Sequence, residues 1–485
     1  MAKITFNELA FLIPIIIFRL GQSLLCAFLS LILLDLASIL EIPYQEVSSL
    51  FLYKAAGCII GALSGCLYLH FKNTWRFKDI DPISILGIIN FINSIIFLAI
   101  PYINDLLSWK ILVLIMFICF AFTETALTAI IIDTWGPVKS QSIMQGFHML
   151  FAIGSSIGPV IVAPFLRARG ENDDSFQYDE NENINITQNL VESGNGIQNN
   201  DYNTLQWPFL IIMALSISSS VLFFYIGLNQ IRIKIQRMIL SKSKITIESQ
   251  DSRIEVQMML QTENSQKSLN SKENDQKTQN HSQIPVYLML LATFILYFGI
   301  GGSLHWYGDN IYSYATCALQ WKKSLRISIQ SNFWMMGIVA GLIGMYIINK
   351  IGAKAYVLID TLIFIVCYIL LCFLVESKSE MSSTTEILII SINLILGLAY
   401  GTIFAAGISW VAQDFLNVTQ FYLIVFVIGD FAGQLPIKYA GKVIADGPVG
   451  MFFHVGLFYC FLIVIAIVMM NMIVRRYDTK YLSSL

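Results

Sequence analysis

Long apolar stretches alternate with short polar segments along almost the whole chain. Twelve stretches each have about 18 or more mostly apolar residues, enough for a helix to cross the roughly 30 Å of a hydrocarbon layer. The pattern therefore predicts an all-α membrane protein with twelve transmembrane helices, called spans 1 to 12 below. The spans lie near residues 11–36, 47–69, 83–100, 111–132, 142–166, 208–228, 284–304, 325–348, 355–375, 387–411, 419–440 and 449–474.

A long polar segment, residues 229–283, interrupts this pattern. It is rich in Ser, Gln, Asn, Lys and Glu and poor in aromatic residues, so it cannot bury a core and is predicted to be a disordered linker. It separates a first six-helix bundle, residues 1–228, from a second, residues 284–485. By the positive-inside rule, basic residues at its start favour a cytoplasmic linker and cytoplasmic termini, and we expect the plasma membrane. These residues are Arg232, Lys234, Arg237, Lys242 and Lys244.

The loop 167–207 is predicted on the opposite, external side. It is acidic and contains the sequon Asn185-Ile186-Thr187, which predicts a glycan on Asn185. A second sequon begins at Asn417, on the predicted cytoplasmic side, where it should stay unmodified. Glycosylation of Asn417 would therefore contradict the predicted topology.

Composition agrees with a membrane protein and narrows the partners. Hydrophobic residues make up 56% of the chain and charged residues 13%, against roughly 25% charged residues in soluble domains. The net charge of −2 gives no reason to expect a nucleic acid as partner. The eight cysteines form no CxxC pair and suit apolar packing, so we expect no metal and no cofactor. The lipid bilayer is the expected surrounding, and the protein is expected to be a monomer.

Glu124 lies inside the apolar span 4, where a charge at mid-bilayer costs roughly 2.5–3.5 kcal/mol. It precedes Asp133 by nine residues, or about 13 Å of helix, which places it near the middle of the membrane. Thr128, one turn away, leaves space for water or solute. Burial favours the neutral carboxyl, so Glu124 could exchange a proton as its exposure alternates, or help to hold sodium with the nearby hydroxyls. The alternative is a protonated glutamate hydrogen-bonded between helices.

Span 5 adds Gln145 and His148, which share a helix face and offer hydrogen-bond donors and acceptors that match hydroxyls. In span 7, glycines surround a polar and aromatic group, predicting a broken helix that lines a cavity. Aromatic faces and tyrosine hydroxyls suit a polyol. The competing interpretation is an aromatic belt at the membrane surface. The group consists of His305, Trp306, Asp309 and Tyr312, of which His305 and Asp309 could simply pair.

Other intramembrane polar residues complete the candidate site. Gln22, Gln330 and Asn393 are predicted to contact the solute, whereas Arg19 and Asp430 are predicted to have structural or gating roles. Lys54 and Asp360 lie nearer helix ends, where the charged group can reach the interface, so both are left out of the site.

Glycines recur at corresponding positions in the two halves. Gly57 and Gly61 of span 2 correspond to Gly337 and Gly341 of span 8, both 280 residues later. Glycines on one helix face permit close helix contact, which suits elements that slide during gating, although ordinary packing explains them equally well. Further residues with predicted structural or gating roles are Gly154, Gly158, Pro159 and Lys350.

Short motifs in both halves follow one another in a familiar order. They are LLDLAS (33–38), ETA (124–126), Met144 with Gln145 and His148, VAPFL (162–166), Tyr297 with Gly299, IYSYA (311–315) and GTIFAAGISW (401–410). The architecture resembles the major facilitator superfamily, and the motifs resemble its fucose permease and sodium-dependent glucose transporter-like branch. The resemblance implies two pseudo-symmetric six-helix bundles, alternating access and a sugar as the solute.

The resemblance also implies roles for individual residues. Glu124 occupies the position of the permease glutamate that couples sugar transport to protons, and Gln145 a position that contacts sugar. The permease has a second acidic residue in its first helix, where this chain has FLSLILL before Asp35. A proton relay between two carboxylates is therefore not expected.

The sequence thus predicts a secondary active transporter of a small polar solute, a hexose or related sugar, coupled to protons or sodium. One alternative is a transport-inactive sensor or scaffold that binds partners through residues 229–283. Another is a membrane-embedded enzyme such as an acyltransferase, but no HxxxxD motif is present. We therefore expect no enzymatic activity.

Overall fold

A computed structural model describes residues 6–72, 81–166, 206–229, 232, 284–376, 382–414 and 420–476. The loop with Asn185, the sequon at Asn417 and nearly all of the predicted linker lie outside these residues. Thirteen α-helices are numbered here along the described chain. They are α1 Phe6–Ile39, α2 Tyr44–Val47, α3 Leu50–Lys72, α4 Pro82–Ala99, α5 Leu106–Val162, α6 Gln206–Asn229, α7 Ile284–Cys317, α8 Lys323–Ile351, α9 Ala353–Glu376, α10 Ser383–Asp414, α11 Gln420–Gly433, α12 Ala440–Asp446 and α13 Met451–Arg476.

The long helices expose apolar side chains and bury polar ones, as expected for a bundle surrounded by lipid. On α9, for example, Leu362 is 63% exposed whereas Asp360 is 4% exposed. Eleven segments among the described residues are long and apolar enough to cross a membrane. The remaining predicted span, span 11 at 419–440, is split instead: α11 ends at Gly433 and a 3₁₀ helix, Leu435–Tyr439, follows. Pro436 explains the break, because it lacks an N–H and disfavours α-helix at the preceding residue.

Spans 4 and 5 are the two arms of α5, which is helical from Leu106 to Val162. Glu124 and Phe147 would lie about 34 Å apart on a straight helix. The Arg19 side chain nevertheless bonds both Glu124 Oε1 and the Phe147 carbonyl, at 2.6 and 3.3 Å. The chain therefore reverses direction between the arms, as predicted for two antiparallel spans.

The expectation of a broken span 7 is wrong. Helix α7 continues through all its glycines from Ile284 to Cys317 and so extends beyond the predicted end at residue 304. The glycines provide close helix contacts instead: a Cβ at Gly299 would meet Ile463 and Tyr459 of α13. Tertiary packing thus outweighs the weak helix propensity of glycine, which costs about 1 kcal/mol per residue.

The two halves repeat the same pattern of helix pairs. In the first half α3 packs on the first arm of α5, α1 packs on both arms, and α6 bonds α4 through Ser216 and Ser220. In the second half the corresponding pairs are α8 with α10, α7 with α11, and α9 with α13. Between the halves, α5 meets α8 and α3 meets α11. The repetition agrees with two pseudo-symmetric six-helix bundles.

Glycines make one of these repeated pairs especially close. A Cβ at Gly61 of α3 would lie 3.0 Å from the Cα of Ile118 on α5. In the second half, a Cβ at Gly401 of α10 would lie 2.6 Å from the Gly337 carbonyl of α8. Both pairs therefore bring backbones into contact in the way that small residues allow.

Candidate functional site

A cavity lies between the two halves. Its volume, counted as the space open to the centre of a water molecule, is about 90 Å³. That volume holds several waters, since one needs roughly 10–15 Å³ by the same measure. The walls come from α1, α3 and α5 on one side and from α7, α8, α10 and α11 on the other. The polar and ionisable side chains in the walls are Arg19, Cys26, Lys54, Cys58, Glu124, His148, His305, Tyr400, Asp430 and Gln434.

Glu124 is held by two side chains of α1. Its Oε1 accepts a hydrogen bond from the Arg19 guanidinium at 2.6 Å, and its Oε2 accepts one from the Gln22 amide at 2.9 Å. Arg19 also donates to Gln22 Oε1 at 2.6 Å, which closes a three-residue group. The Glu124 side chain is 18% exposed and the Arg19 side chain 4%. The charge of Glu124 is therefore balanced, while one side of the carboxylate still faces the cavity.

Aromatic rings approach one another across the cavity from opposite halves. His148 of α5 lies 4.8 Å from Phe404 of α10, measured between ring centroids. Phe151 of α5 meets Trp334 of α8 edge to face at 5.6 Å. The Arg19 guanidinium lies 4.8 Å from the Phe151 ring. The walls thus combine flat apolar faces with hydrogen-bonding groups, the usual character of a site for a small molecule.

Lys54 and Asp309 form an ion pair between the halves, from α3 to α7. His305 Nδ1 lies 3.1 Å from the same carboxylate. All three are buried, with exposures of 2%, 3% and 7%. The expectation that Lys54 reaches the membrane interface is therefore wrong, because its carboxylate partner in the other half removes the need for water. The same expectation is wrong for Asp360, whose carboxylate accepts the Thr402 hydroxyl at 2.9 Å.

Further hydrogen bonds join the halves on the same side of the cavity as Lys54. We call the membrane face at which α1 begins and α13 ends the terminal face, and the opposite one the distal face. All inter-half hydrogen bonds between described residues fall in the distal half of their helices. They join Ser30 to Gln330, Gln45 to Asp446, Ser48 to the Lys438 carbonyl, Ser156 to Ser331, and Lys323 to the Leu166 carbonyl.

Asp430 and Gln434 line the cavity from the second half. Asp430 is 9% exposed, and its carboxylate forms no hydrogen bond or ion pair with the described residues. Gln434 is 1% exposed, and neither atom of its amide has a hydrogen-bond partner there. The carboxylate lies against Gly301 of α7, where a Cβ would collide with it. Two polar groups thus face the cavity unsatisfied.

The remaining predicted solute contacts lie outside the cavity walls. Trp306 donates to the Phe452 carbonyl at 2.8 Å, and Asn393 links Tyr307 to the Ile329 carbonyl. Tyr312 is 6% exposed within α7 and Gln145 3% exposed within α5, with both amide atoms unpartnered. The aromatic belt proposed for this part of α7 is wrong, because Trp306 and Tyr312 are buried among helices.

The residues with predicted gating roles divide between the halves. Gly154 and Gly158 bring the second arm of α5 against Ser23 and Ala27 of α1, and Pro159 lies in the same final turns of α5. A Cβ at Gly341 would lie 3.2 Å from Met149 Cβ in the other half. Lys350 bonds Tyr346 of its own helix and is exposed. Thr128 is 8% exposed, one turn from Glu124.

Sequence reasoning missed several residues of the cavity wall. The place of Lys54 near a helix end suggested an interfacial lysine, and its partner Asp309, 255 positions away, leaves no local signal. Trp334, Tyr400 and Gln434 carry no distinguishing signal either. The one available hint was Gly337, next to the aromatic pair Phe333 and Trp334, since small residues beside aromatic ones leave space at a helix surface.

No model of a protein family and no curated protein sequence matches the chain. Solved structures do match. The nucleoside transporter NupG superposes with a TM-score of 0.55 at 12% identity, over 95% of this chain and 99% of that chain. The proton:xylose symporter XylE bound to 6-bromo-6-deoxy-D-glucose gives 0.56 at 14% identity, over 96% of both chains. A partially occluded inward-open form of XylE from E. coli gives 0.54 at 13% identity, over 94% of this chain and 98% of that chain.

These matches confirm the predicted fold class. The chain is an all-α membrane protein with the major facilitator fold, and the eleven described spans together with the split span 419–440 agree with two pseudo-symmetric six-helix bundles. Identities of 12–14% support the fold alone. The narrower resemblance to the fucose permease and sodium-dependent glucose transporter-like branch stays a prediction.

Proposed function

We propose that this protein is a secondary active transporter that moves a small polar solute by alternating access. The observation that carries the proposal is the cavity between the two halves, which is lined by charged groups that a structural core would not need. A buried polar group costs free energy unless it is paired, so unpaired groups in a cavity wall suggest a ligand. Proteins with the same fold named as nucleoside and xylose transporters support the same function.

We propose a sugar, a hexose or a related compound, as the solute. Phe151, Trp334 and Phe404 offer rings to the C–H faces of a sugar, and Arg19, Gln22 and Glu124 form a hydrogen-bonding group beside them. A sugar has both kinds of surface, and aromatic residues with a few polar contacts suit it. His148 lies between these two groups, with its Nδ1 3.5 Å from the Arg19 guanidinium.

Glu124 is the proposed coupling carboxylate, for protons or sodium. Its negative charge holds Arg19 and Gln22, and so ties the first arm of α5 to α1. A proton on Glu124 would cancel the ion pair and free Arg19 to contact the solute. Charge-assisted hydrogen bonds are roughly twice as strong as neutral ones, so the change is large enough to shift helix contacts.

The Lys54–Asp309 pair is the proposed distal gate, together with the inter-half hydrogen bonds around it. With the termini in the cytoplasm, as the sequence predicts, these contacts close the external side and this conformer faces inward. The orientation itself can be tested by mapping glycans, because a glycan on Asn185 but none on Asn417 is expected.

Purified protein in proteoliposomes provides the functional test. A panel of labelled hexoses, pentoses and nucleosides is offered with an imposed proton or sodium gradient. We expect a hexose or related sugar to accumulate only with the gradient. Glu124→Gln should lose accumulation but retain exchange of labelled for unlabelled solute at equilibrium, since coupling is lost and binding is kept.

Glu376→Gln is the matched control, because Glu376 is an exposed glutamate at the end of α9. It should accumulate solute like the unaltered protein. Full gradient-driven accumulation by Glu124→Gln would contradict the coupling role. Absence of uptake and exchange for every solute in an otherwise folded protein would instead favour the sensor or scaffold interpretation.

A further inference from the structure

The ionisable groups around the cavity do not cancel. Arg19 balances Glu124 and Lys54 balances Asp309, each in an ion pair. With the histidines neutral, the Asp430 carboxylate is the remaining charge among the described groups that line the cavity. A buried, unpaired carboxylate is costly, and burial drives it to acquire a proton, a cation or a hydrogen-bond partner.

The chain leaves room for Asp430, and Gln434, four residues later, lines the same cavity. Helix α11 lies tightly on α7, since a Cβ at Gly429 would be 2.9 Å from the Phe294 carbonyl. The Asp430 carboxylate occupies the space beside Gly301 that any larger residue would fill. Gln434, one residue beyond α11, lines the same cavity, and both polar atoms of its amide are unpartnered. Carboxylate and amide oxygens are the ligands that hard cations prefer.

We propose that Asp430 and Gln434 form a cation site in the second half, which takes up one monovalent cation, a proton or an alkali ion, when the transporter loads. This inference rests on the proposed function and deepens it. The second carboxylate that was not found in span 1 is thereby supplied by α11, on the opposite wall from Glu124. Uptake of one positive charge at Asp430 would make the set of ionisable groups around the cavity neutral.

Other ionisable groups close to Asp430 or in the cavity wall influence the cation. Through space, the cation at Asp430 is repelled by Arg19 and Lys54 and attracted by Glu124 and Asp309. These groups are Arg19 and Cys26 on α1, Lys54 and Cys58 on α3, Glu124 and His148 on α5, Tyr297, His305 and Asp309 on α7, and Tyr400 on α10. Several of these groups can produce a response to pH. The response is therefore attributed to Asp430 only if it depends on that residue.

Trp334 provides a reporter that needs neither transport nor a known solute, because it lies in the same cavity wall. Full-length protein in lipid nanodiscs is titrated with NaCl replacing choline chloride at constant ionic strength, and separately with protons from pH 8 to pH 5. Subtracting the fluorescence of Trp334→Phe isolates the signal of this tryptophan. We expect a saturable response in one of the two titrations, which identifies the cation.

Asp430→Asn should abolish a pH response, because an amide cannot take up the proton, and should raise the midpoint of a sodium response at least about tenfold, which corresponds to a loss of about 1.4 kcal/mol. Asp360→Asn is the matched control: it removes a buried carboxylate of the same half that lies outside the cavity wall, and Asn can still accept from Thr402. It should keep the response of the unaltered protein. A response that Asp430→Asn leaves unchanged, or that Asp360→Asn also abolishes, would overturn the proposal, as would no response in either titration.

A second pair of variants covers the case in which Asp430→Asn does not fold. Gly301→Ala would displace the carboxylate, whereas Gly299→Ala would crowd α13 on another side of α7. Only Gly301→Ala should weaken the cation response, and equal responses would contradict the site. Because the titration needs no transport, a cation response in a protein that moves no solute would contradict the proposed function and leave the site intact.

Discussion

The two walls of the cavity are built from equivalent helices but differ in whether their carboxylates are paired. On the first wall, Glu124 is neutralised by Arg19 and fixed by Gln22, so its charge is already used to join α1 and α5. On the second wall, Asp430 has no partner among the described residues and Gln434 has an unsatisfied amide. Pseudo-symmetry of the helix packing therefore does not extend to the charges.

The difference suggests that the carboxylates of the two halves respond to a cation in different ways. A paired carboxylate responds to a proton by releasing its partner, which changes contacts within one half. An unpaired carboxylate responds by binding a cation, which changes the charge of the cavity. The Lys54–Asp309 pair differs from both carboxylates, because it connects the two halves and can form only when they are close together on the distal side.

The largest effect is expected from breaking the paired wall. Arg19→Gln leaves Glu124 buried with half of its hydrogen bonds, and loss of one partner from a buried pair costs about 3–5 kcal/mol. We expect a large drop in thermal stability of the purified protein together with loss of uptake. Adding Glu124→Gln should restore most of the stability, and a double variant as unstable as the single one would show that the charge pair is not the cause.

The next effect concerns the contact between the walls. Lys54→Met should weaken the distal contacts and shift the population of conformers by about 5- to 150-fold, the usual range for such coupling. Cysteines introduced at Gln45 and Asp446, which bond across the distal face, give the measurement. Their crosslinking should fall in Lys54→Met. Lys350→Met is the control, since Lys350 is exposed and bonds its own helix. An equal decrease of crosslinking in Lys350→Met would contradict the gating role of Lys54.

The smallest effect tests whether helix packing is indeed alike in the halves. Gly61→Ala and Gly401→Ala insert a methyl group into equivalent close contacts, and overpacking costs about 1–3 kcal/mol. Both should lower the unfolding temperature by similar amounts. Gly146→Ala has open space around its Cβ and should be neutral or slightly stabilising, because alanine favours helix over glycine. A decrease in unfolding temperature for only one of the two variants would show that the helix packing differs between the halves.

Much of the fold could be predicted from sequence because hydrophobic length alone defines membrane spans. The pattern fails where local rules conflict with packing. Pro436 ended α11 early, and glycine propensity suggested a break in α7 that contacts with α11 and α13 prevent. The cost of burying charge directs attention to Glu124, Arg19 and Asp430, all of which line the cavity. Which charges pair depends on contacts between residues far apart in the chain, as with Lys54 and Asp309, and no local pattern encodes them.

If the charges of this cavity couple solute movement to a cation, the coupling sets the steady-state ratio of internal to external labelled sugar in proteoliposomes. The ratio is measured as the imposed proton or sodium gradient is raised. If one cation moves with each uncharged solute and no membrane potential is present, the ratio should rise about tenfold for each tenfold gradient, since both correspond to about 1.4 kcal/mol. A ratio that stays at one under both gradients, while the protein still exchanges solute, would contradict coupling.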